Sequence, residues 1–410
     1  MRNRYLKTSA ASLLSILALG ACNDESLSPP APVSGMFARY VSLGNSLTAG
    51  YQSGGINDST QRESYAVLLA EVFGLRVDKD FHIPSMANPG CPPPLVNVFQ
   101  QSTVDTLPPP GCAGRASDLL PAFINNVAVP GAKVIDPLTN IDTLGSVNPL
   151  TTFFLGGLTQ VEAALRIAPT FASVWIGNND VLGALLDTAN AGNPSLITSQ
   201  GDFASRYAAM IDSLRTAPTL EGGVLIGVIQ VVFAPYASTG SAWFATAAGI
   251  DSLTVLPNCL EKVLIIGSSD SAEVLVPFAY GAPLFAQATD PVNPVPTTLD
   301  CAVPQVVSAF EASFMTSMVK GYNQTIAQIA SNVGWAYLDP NPILENLLQD
   351  PMAIRSFPAF DPTDPQHETA PFGTALSRDG FHPSAGSHVL VMQTLLDAID
   401  LTYQTTLARQ

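Results

Sequence analysis

Two short segments, far apart in the sequence, carry the residue types of a serine nucleophile and its base. Ser46 lies in the segment GNSLTAG (44–50), directly after a predicted strand. Asp379 and His382 lie three residues apart in the segment DGFH. On a tight turn, this spacing lets the carboxylate accept a hydrogen bond from the imidazole Nδ1, which leaves Nε2 to take the serine proton. The two segments predict a hydrolytic serine–histidine–aspartate site.

Two further segments could stabilise the oxyanion that forms when a serine attacks a carbonyl. The segment GNND (177–180) follows a predicted strand and places the side-chain amide of Asn179 at the strand's carboxyl end. The segment NVAVPGA (126–132) contains Gly131, whose backbone N–H no side chain shields. Both groups are hydrogen-bond donors of the kind that acyl-transfer sites use. Taken singly, each segment also fits an ordinary turn, because Gly and Asn dominate turns.

Of the four histidines, only His382 has a carboxylate so placed. His82 lies beside a Pro-rich segment, and His367 lies in an irregular acidic loop. His388 falls within a predicted helix, where we expect a packed or partly exposed side chain. His382 is therefore the candidate base.

Taken together and in this order, GNSLTAG, NVAVPGA, GNND and DGFH resemble the four sequence blocks of the SGNH or GDSL serine esterase/lipase family. The resemblance extends from about residue 37 to residue 401, apart from two insertions. It implies a flavodoxin-like three-layer α/β/α sandwich with a parallel sheet, and it implies no metal or organic cofactor.

The resemblance also implies a role for each site residue. Ser46 is the nucleophile and donates its own backbone N–H to the oxyanion hole, which Gly131 and Asn179 complete. His382 is the base, and Asp379 orients it. The family usually has Asp where this chain has Asn45, and the side chain at this position is generally structural.

The predicted elements alternate between strands and helices. Continuous apolar strands that alternate with helices indicate a parallel sheet covered on both faces. Strands are predicted at 36–43, 126–134, 171–176, 224–233 and 335–338, and helices at 60–73, 158–167, 202–214, 306–333 and 384–401.

Two long segments interrupt this alternation, at about 76–125 and 235–303, and both are predicted to be insertions over one face. A Pro-rich loop at 351–378 leads into DGFH. With Cys22 set aside, the four remaining cysteines allow three pairings. We favour Cys91–Cys112 and Cys259–Cys301, because each pair brackets one irregular Pro-rich segment.

The first residues have the composition of a secretory signal. Three basic residues precede an apolar run that ends in Leu-Gly-Ala-Cys, and this tetrapeptide resembles a bacterial lipobox. We therefore expect a signal peptide at 1–21, a lipidated tether at 22–35 that begins with acylated Cys22, and a hydrolase domain at 36–410. The expected location is the bacterial cell envelope, most naturally the outer membrane, with the orientation left open.

Charge and motifs exclude several classes of function. Without residues 1–21 the chain has 14 basic and 33 acidic side chains, a net charge of about −19. Such a surface repels phosphate backbones, which argues against nucleic-acid binding. The sequence contains no G-x-S-x-G elbow, no P-loop, no G-x-G-x-x-G and no H-E-x-x-H.

The sequence leaves three functions open. The first is hydrolysis of lipid or short-chain acyl esters by a monomer that a lipid anchor holds at the membrane. The second is acyl transfer or glycan O-acetyl ester hydrolysis at the same site. The third is a surface lipoprotein that binds a partner and has lost catalysis.

Overall fold

The structure is a computed structural model, which describes residues 34–104, 114–116, 122–140, 148, 150–265, 268–357 and 369–407. Four parallel strands form the central sheet, and the other strands among these residues lie outside it. The strands are β1 Tyr40–Gly44, β2 Leu95–Asn97, β3 Ser102–Thr103, β4 Phe171–Trp175, β5 Gly222–Ile226, β6 Ala237–Thr239, β7 Leu253–Val255, β8 Lys262–Leu264, β9 Ser271–Glu273, β10 Leu275–Pro277, β11 Thr297–Leu299 and β12 Ala336–Leu338. The helices are α1 Ser46–Ala49, α2 Asp58–Arg62, α3 Tyr65–Val72, α4 Leu150–Leu155, α5 Gln160–Arg166, α6 Asn179–Leu185, α7 Gln200–Leu214, α8 Gly240–Ala247, α9 Phe278–Ala288, α10 Ala309–Val333, α11 Asn341–Leu348 and α12 Ala385–Tyr403.

The sheet has the order β1-β4-β5-β12, and an extended segment continues it beyond β1. Ser42 N–H donates to Asn125 O, Val127 N–H donates to Ser42 O, and Val129 N–H donates to Gly44 O. The segment 125–129 therefore takes the place of a second strand. Counted in chain order, the arrangement is 2-1-3-4-5, which is the flavodoxin-like order.

Alternate residues of each strand pack against helices on opposite faces of the sheet. Val41 and Val174 face the cluster formed with α5, α7 and α10. Tyr40 and Trp175 face the cluster formed with α3 and α12. Because both faces are covered, every residue of β1, β4 and β5 is buried. The three-layer α/β/α sandwich predicted from the sequence is confirmed.

The predicted strand at 224–233 was too long. The strand ends at Ile226, and a short 3₁₀ helix forms at Val231–Phe233. Val228 N–H donates to Asn323 Oδ1 at 2.6 Å, and Asn323 Nδ2 donates to Val228 O at 2.9 Å. A side-chain amide from α10 thus replaces the next rung of the ladder, which the apolar composition of the segment could not reveal.

The predicted helix at 60–73 is two helices, α2 and α3. Asn57 and Thr60 form the capping box of α2, and the Ser64 side chain accepts from Val67 N–H at the start of α3. Each N-cap side chain accepts from an N–H in the first turn of its helix, where the helix supplies no carbonyl partner.

The segment 235–303 contains much more regular structure than a Pro-rich insertion suggests. It holds α8, α9 and short strands that pair two by two, as β6 with β10, β7 with β11 and β8 with β9. A disulfide joins Cys259 and Cys301, with the two Cα atoms 5.0 Å apart, and this is one of the two pairs favoured from the sequence. The segment 76–125 has only the hairpin of β2 and β3 among its described residues.

Several predictions fall on residues that the structure does not describe. Cys22, the signal peptide and most of the tether lie outside the described residues, as do Cys112 of the second favoured disulfide and His367. Across the described ranges, none of the helices combines the length and the apolar character needed to span a membrane.

Candidate active site

Ser46, His382 and Asp379 form a continuous chain of hydrogen bonds. The His382 Nε2 lies 2.8 Å from the Ser46 Oγ, and the His382 Nδ1 lies 2.8 Å from the Asp379 Oδ2. With Asp379 ionised, Nδ1–H is the donor to the carboxylate, and Nε2 accepts the serine proton. The three side chains are largely buried, with 8%, 5% and 7% of the residue surface exposed for Ser46, His382 and Asp379. The structure thus brings together the three residues singled out in the sequence.

The turn that carries Asp379 and His382 is held by hydrogen bonds on both carboxylate oxygens. Asp379 Oδ1 accepts from the Ser377 hydroxyl and the His382 N–H, at 3.1 and 2.9 Å. Asp379 Oδ2 accepts from the Gly54 N–H at 2.7 Å. The Ser53 N–H donates to Ser377 Oγ at 2.8 Å. The loop after α1 therefore fixes the base turn to the nucleophile turn.

These contacts keep Asp379 ionised in spite of its burial. Burial alone raises the pKa of the carboxyl group, because it disfavours the charged form. The charge of His382 and the hydrogen bonds from His382 and Gly54 outweigh burial and hold the pKa of Asp379 below its usual value. An ionised Asp379 can stabilise the imidazolium that forms when His382 takes the serine proton.

Ser46 begins α1 directly after β1, at the carboxyl end of the sheet. A β-carbon on Gly44 would lie 2.2 Å from Thr48 Oγ1 and 2.6 Å from Trp175 O, so the strand-to-helix turn has room only for glycine there. The Gln160 side chain pairs with both backbone groups of Gly44, each at 2.9 Å. The nucleophile turn is thereby fixed by α5 as well as by β4.

Asn45, which departs from the family's usual Asp, is the N-cap of α1. Its Oδ1 accepts from Leu47 N–H at 3.0 Å, as a carboxylate oxygen would. Its Nδ2 is buried and has no hydrogen-bond partner within the described part of the chain. The capping contact of the turn is therefore present, and the departure leaves one buried donor unpaired.

The three expected oxyanion donors come from neighbouring turns. Asn179 begins α6 after β4, and its Nδ2 donates to Ala132 O at 3.0 Å, next to Gly131. The second N–H of this amide remains for a ligand. Gly131 has a φ of +78°, and neither its N–H nor that of Ser46 makes a hydrogen bond to another described residue. The amide contact links the Gly131 turn to Asn179, which lines the same pocket as Ser46 and His382.

Asp180, the second residue of α6, forms hydrogen bonds that connect α6 to the segment after Gly131. Its Oδ2 accepts from Val134 N–H at 2.8 Å, and its Oδ1 accepts from the Thr198 hydroxyl at 2.6 Å. The carboxyl is fully buried, and burial raises its pKa to about 6. Asp180 therefore joins the Gly131 turn to α6 through a buried carboxyl group.

The pocket at Ser46 and His382, called the catalytic pocket below, has both polar and apolar lining residues. The polar ones are Ser46, His382, Asn178 and Asn179. The remaining lining residues are Leu47, Leu182, Ile229, Val231, Ala234 and Phe381. The arrangement can hold a carbonyl group between a nucleophile, a base and hydrogen-bond donors.

Several residues that support the site were not singled out in the sequence. Besides Gln160, Ser377 and Asp180, Tyr51 packs its ring 4.9 Å from the His382 ring, and its hydroxyl donates to Gly54 O at 2.5 Å. Burial and the nearby Asp379 raise the pKa of Tyr51 to about 12, so it stays neutral. Gln160, Ser377 and Tyr51 belong to no sequence motif. Of these three residues, only Ser377 could have been suggested by the sequence, because it lies two residues before Asp379.

The other histidines with described positions lie apart from the triad. His388 is completely buried on α12, where its Nδ1 accepts from Tyr65 N–H at 3.3 Å. Burial lowers the pKa of His388 to about 3, so the ring is neutral. Within the described ranges, no group of three or more His, Cys, Asp and Glu side chains could hold a metal ion.

Comparison with known proteins gives only distant structural neighbours. No protein-family model matches the sequence, and no curated protein matches it. An acetylxylan esterase from Geobacillus stearothermophilus is 13% identical, with a TM-score of 0.39 over 90% of this chain and 96% of that chain. An alpha/beta hydrolase enzyme from the metagenome of Lake Arreo, Spain, is 13% identical, with a TM-score of 0.37 over 89% of this chain and 98% of that chain.

Proposed function

We propose that this chain is a serine hydrolase of the SGNH type, which cleaves carboxylic esters through an acyl-enzyme on Ser46. The observation that carries the proposal is the hydrogen-bonded chain from Ser46 Oγ through His382 to Asp379, with both distances at 2.8 Å. A nucleophile, a base and an orienting carboxylate in this order are the parts that acyl transfer requires. The N–H groups of Ser46 and Gly131, which make no hydrogen bond to another described residue, support it further.

In the proposed mechanism, Ser46 Oγ attacks the ester carbonyl carbon while its proton passes to His382 Nε2. The carbonyl oxygen becomes an oxyanion, which the Ser46 and Gly131 N–H groups and the Asn179 amide stabilise. When the tetrahedral intermediate collapses, His382 gives its proton to the departing alkoxide, and the acyl group stays on Ser46. Water then attacks the acyl-enzyme with His382 as base, which releases the carboxylic acid and restores Ser46.

The test is hydrolysis of p-nitrophenyl esters, from acetate to palmitate, by residues 23–410 and by the Ser46→Ala variant. Loss of a catalytic serine costs about 10⁶-fold in turnover in a comparable triad. We therefore expect the variant to fall to background on every ester that the wild type hydrolyses. A fluorophosphonate probe should label the wild type and not the variant.

Two outcomes would contradict the proposal. Equal hydrolysis by Ser46→Ala would place the reaction elsewhere in the chain. A folded wild type that neither hydrolyses esters nor reacts with the probe would favour a binding lipoprotein instead. Product analysis with an added alcohol would distinguish hydrolysis from acyl transfer.

We also propose that residues 1–21 are a signal peptide and that Cys22 carries a lipid that anchors the hydrolase domain to the cell envelope. The support is the basic start, the apolar run and the lipobox-like Leu-Gly-Ala-Cys. Metabolic labelling with an alkyne fatty acid should mark the wild type but not Cys22→Ser. Equal labelling of both proteins would refute the anchor.

A further inference from the structure

A second cavity lies beside the catalytic pocket and is almost entirely apolar. Its walls come from α11, the start of α12, the end of β4, the residues that follow β5 and β12, and loop residues at Ile354 and at 375–383. Ile343, Leu344 and Leu347 line it from α11, and Leu390 lines it from α12. Ser387 is the one lining residue with a polar side chain other than the Trp175 indole. We refer to it below as the α11 cavity.

The α11 cavity adjoins the catalytic pocket. Ile229, Ala234 and Phe381 line both spaces. Phe381 immediately precedes the catalytic base in the chain, and its ring lies 4.6 Å from the His382 ring. The two spaces are therefore neighbours, and Phe381 lies where they meet.

The geometry of an ester decides which part of it can take this path. The carbonyl carbon has three substituents besides the attacking serine: the carbonyl oxygen, the leaving oxygen and the acyl carbon. The carbonyl oxygen must face the donors, and the leaving oxygen must face His382, which protonates it. The acyl carbon is left with apolar lining residues such as Ile229, Val231 and Ala234, and two of these three residues also line the α11 cavity.

We propose that the α11 cavity binds the acyl chain of the substrate, so that the enzyme prefers esters of medium or longer acyl chains over acetyl esters. This inference rests on the proposed function. An acetyl group would leave the cavity empty, whereas each methylene that it buries gains about 0.8 kcal/mol of transfer free energy. The half-buried aliphatic side chains from α11 and α12 supply the surface that such a chain needs, and no charged side chain lines the cavity.

The proposal predicts a rising chain-length series in the wild type. From p-nitrophenyl acetate upwards, kcat/KM should rise by about fourfold for each added methylene until the cavity is full. A wild type that hydrolyses acetate best, with activity falling steadily as the acyl chain lengthens, would overturn the acyl assignment. The proposed function would survive that result, because the acetate reaction would still require Ser46.

Filling the cavity gives the decisive test. The Leu344→Trp variant should lower the ratio of kcat/KM for p-nitrophenyl octanoate to that for the acetate by at least tenfold. Its matched control is Glu345→Trp, which adds the same ring at the next, exposed residue of α11 and should leave the ratio as in the wild type. Leu390→Phe fills the same cavity from α12, so the test does not depend on Leu344→Trp folding.

A second substrate series separates the acyl chain from the alcohol. In alkyl acetates from ethyl to octyl, only the alcohol part grows, and the cavity-filling variants should follow the wild-type profile. If they instead change the alkyl acetate series and spare the p-nitrophenyl series, the cavity binds the alcohol and the proposal is wrong. It is equally wrong if folded variants, judged by circular dichroism and by probe labelling at Ser46, change neither series.

Discussion

The catalytic pocket and the α11 cavity meet at Phe381 but are built in opposite ways. Around the catalytic pocket, side-chain hydrogen bonds tie distant segments together, as between Gly54 and Asp379 and between Gln160 and Gly44. Most side chains that line the α11 cavity are aliphatic, and these can only pack against their neighbours. Hydrogen bonds fix atoms to within tenths of an ångström, whereas apolar packing accepts ligands of varying length. The chemistry and the substrate preference of this fold can therefore change independently.

Among substitutions at the catalytic pocket, the largest loss of turnover is expected at Asp379. Asp379→Asn keeps the shape of the side chain but places an amide against His382, so the ring no longer presents Nε2 correctly to Ser46. Turnover should fall by about 10⁴-fold, while the response to acyl-chain length stays as in the wild type. Steady-state kinetics on two chain lengths check both parts. A loss below tenfold would mean that Asp379 does not orient the base.

A smaller loss is expected at the oxyanion side. Asn179→Ala removes one donor to the developing oxyanion and should lower kcat by about 10²–10³-fold, with little change in KM. Asn178→Ala is the matched control, because the neighbouring amide lines the same pocket and its Oδ1 has no described hydrogen-bond partner. If the two variants lose activity equally, Asn179 has no special role at the oxyanion.

The smallest expected effect is on the stability of the protein, through the buried carboxyl group of Asp180, and does not concern the reaction. The folded-state pKa of Asp180, about 6, lies above the usual value, so the folded protein favours the protonated carboxyl. This contribution to stability is fully present below about pH 4 and is lost as the pH rises through 6. Asp180→Asn cannot titrate. The free energy of unfolding of the wild type, relative to this variant, should therefore fall by about 2 kcal/mol between pH 4.5 and 6.5.

Urea denaturation of both proteins at the two pH values measures this difference. By contrast, the pKa of Asp379 is lowered. The stability that its ionised carboxylate contributes is therefore present above the usual pKa and is lost as the pH falls through the lowered pKa. A constant difference between the wild type and Asp180→Asn across this range would show that burial does not raise the pKa of Asp180.

The residues of the catalytic pocket were largely predictable from the sequence, whereas those that line the α11 cavity were not. Ser46, Asn179 and His382 follow strands or tight turns in short segments, where residue type and spacing are informative. The alternation of elements likewise predicted the sandwich. Leu344 and Leu390 look in sequence like any residue of a helix core, because a cavity depends on which side chains fail to fill the space between helices. The early end of β5 escaped prediction because a side chain distant in sequence, Asn323, satisfies Val228.

The hydrogen bond between Ser46 and His382 joins residues that lie 336 positions apart. A ribosome that adds about 5–20 residues per second therefore needs roughly 17–70 seconds after placing the serine before it supplies the base. During that interval β1, β4 and β5 can already pair, but the growing chain holds a serine that no group can deprotonate. In the proposed mechanism, the nascent protein thus lacks its base until His382 has been synthesised, after all four strands of the central sheet.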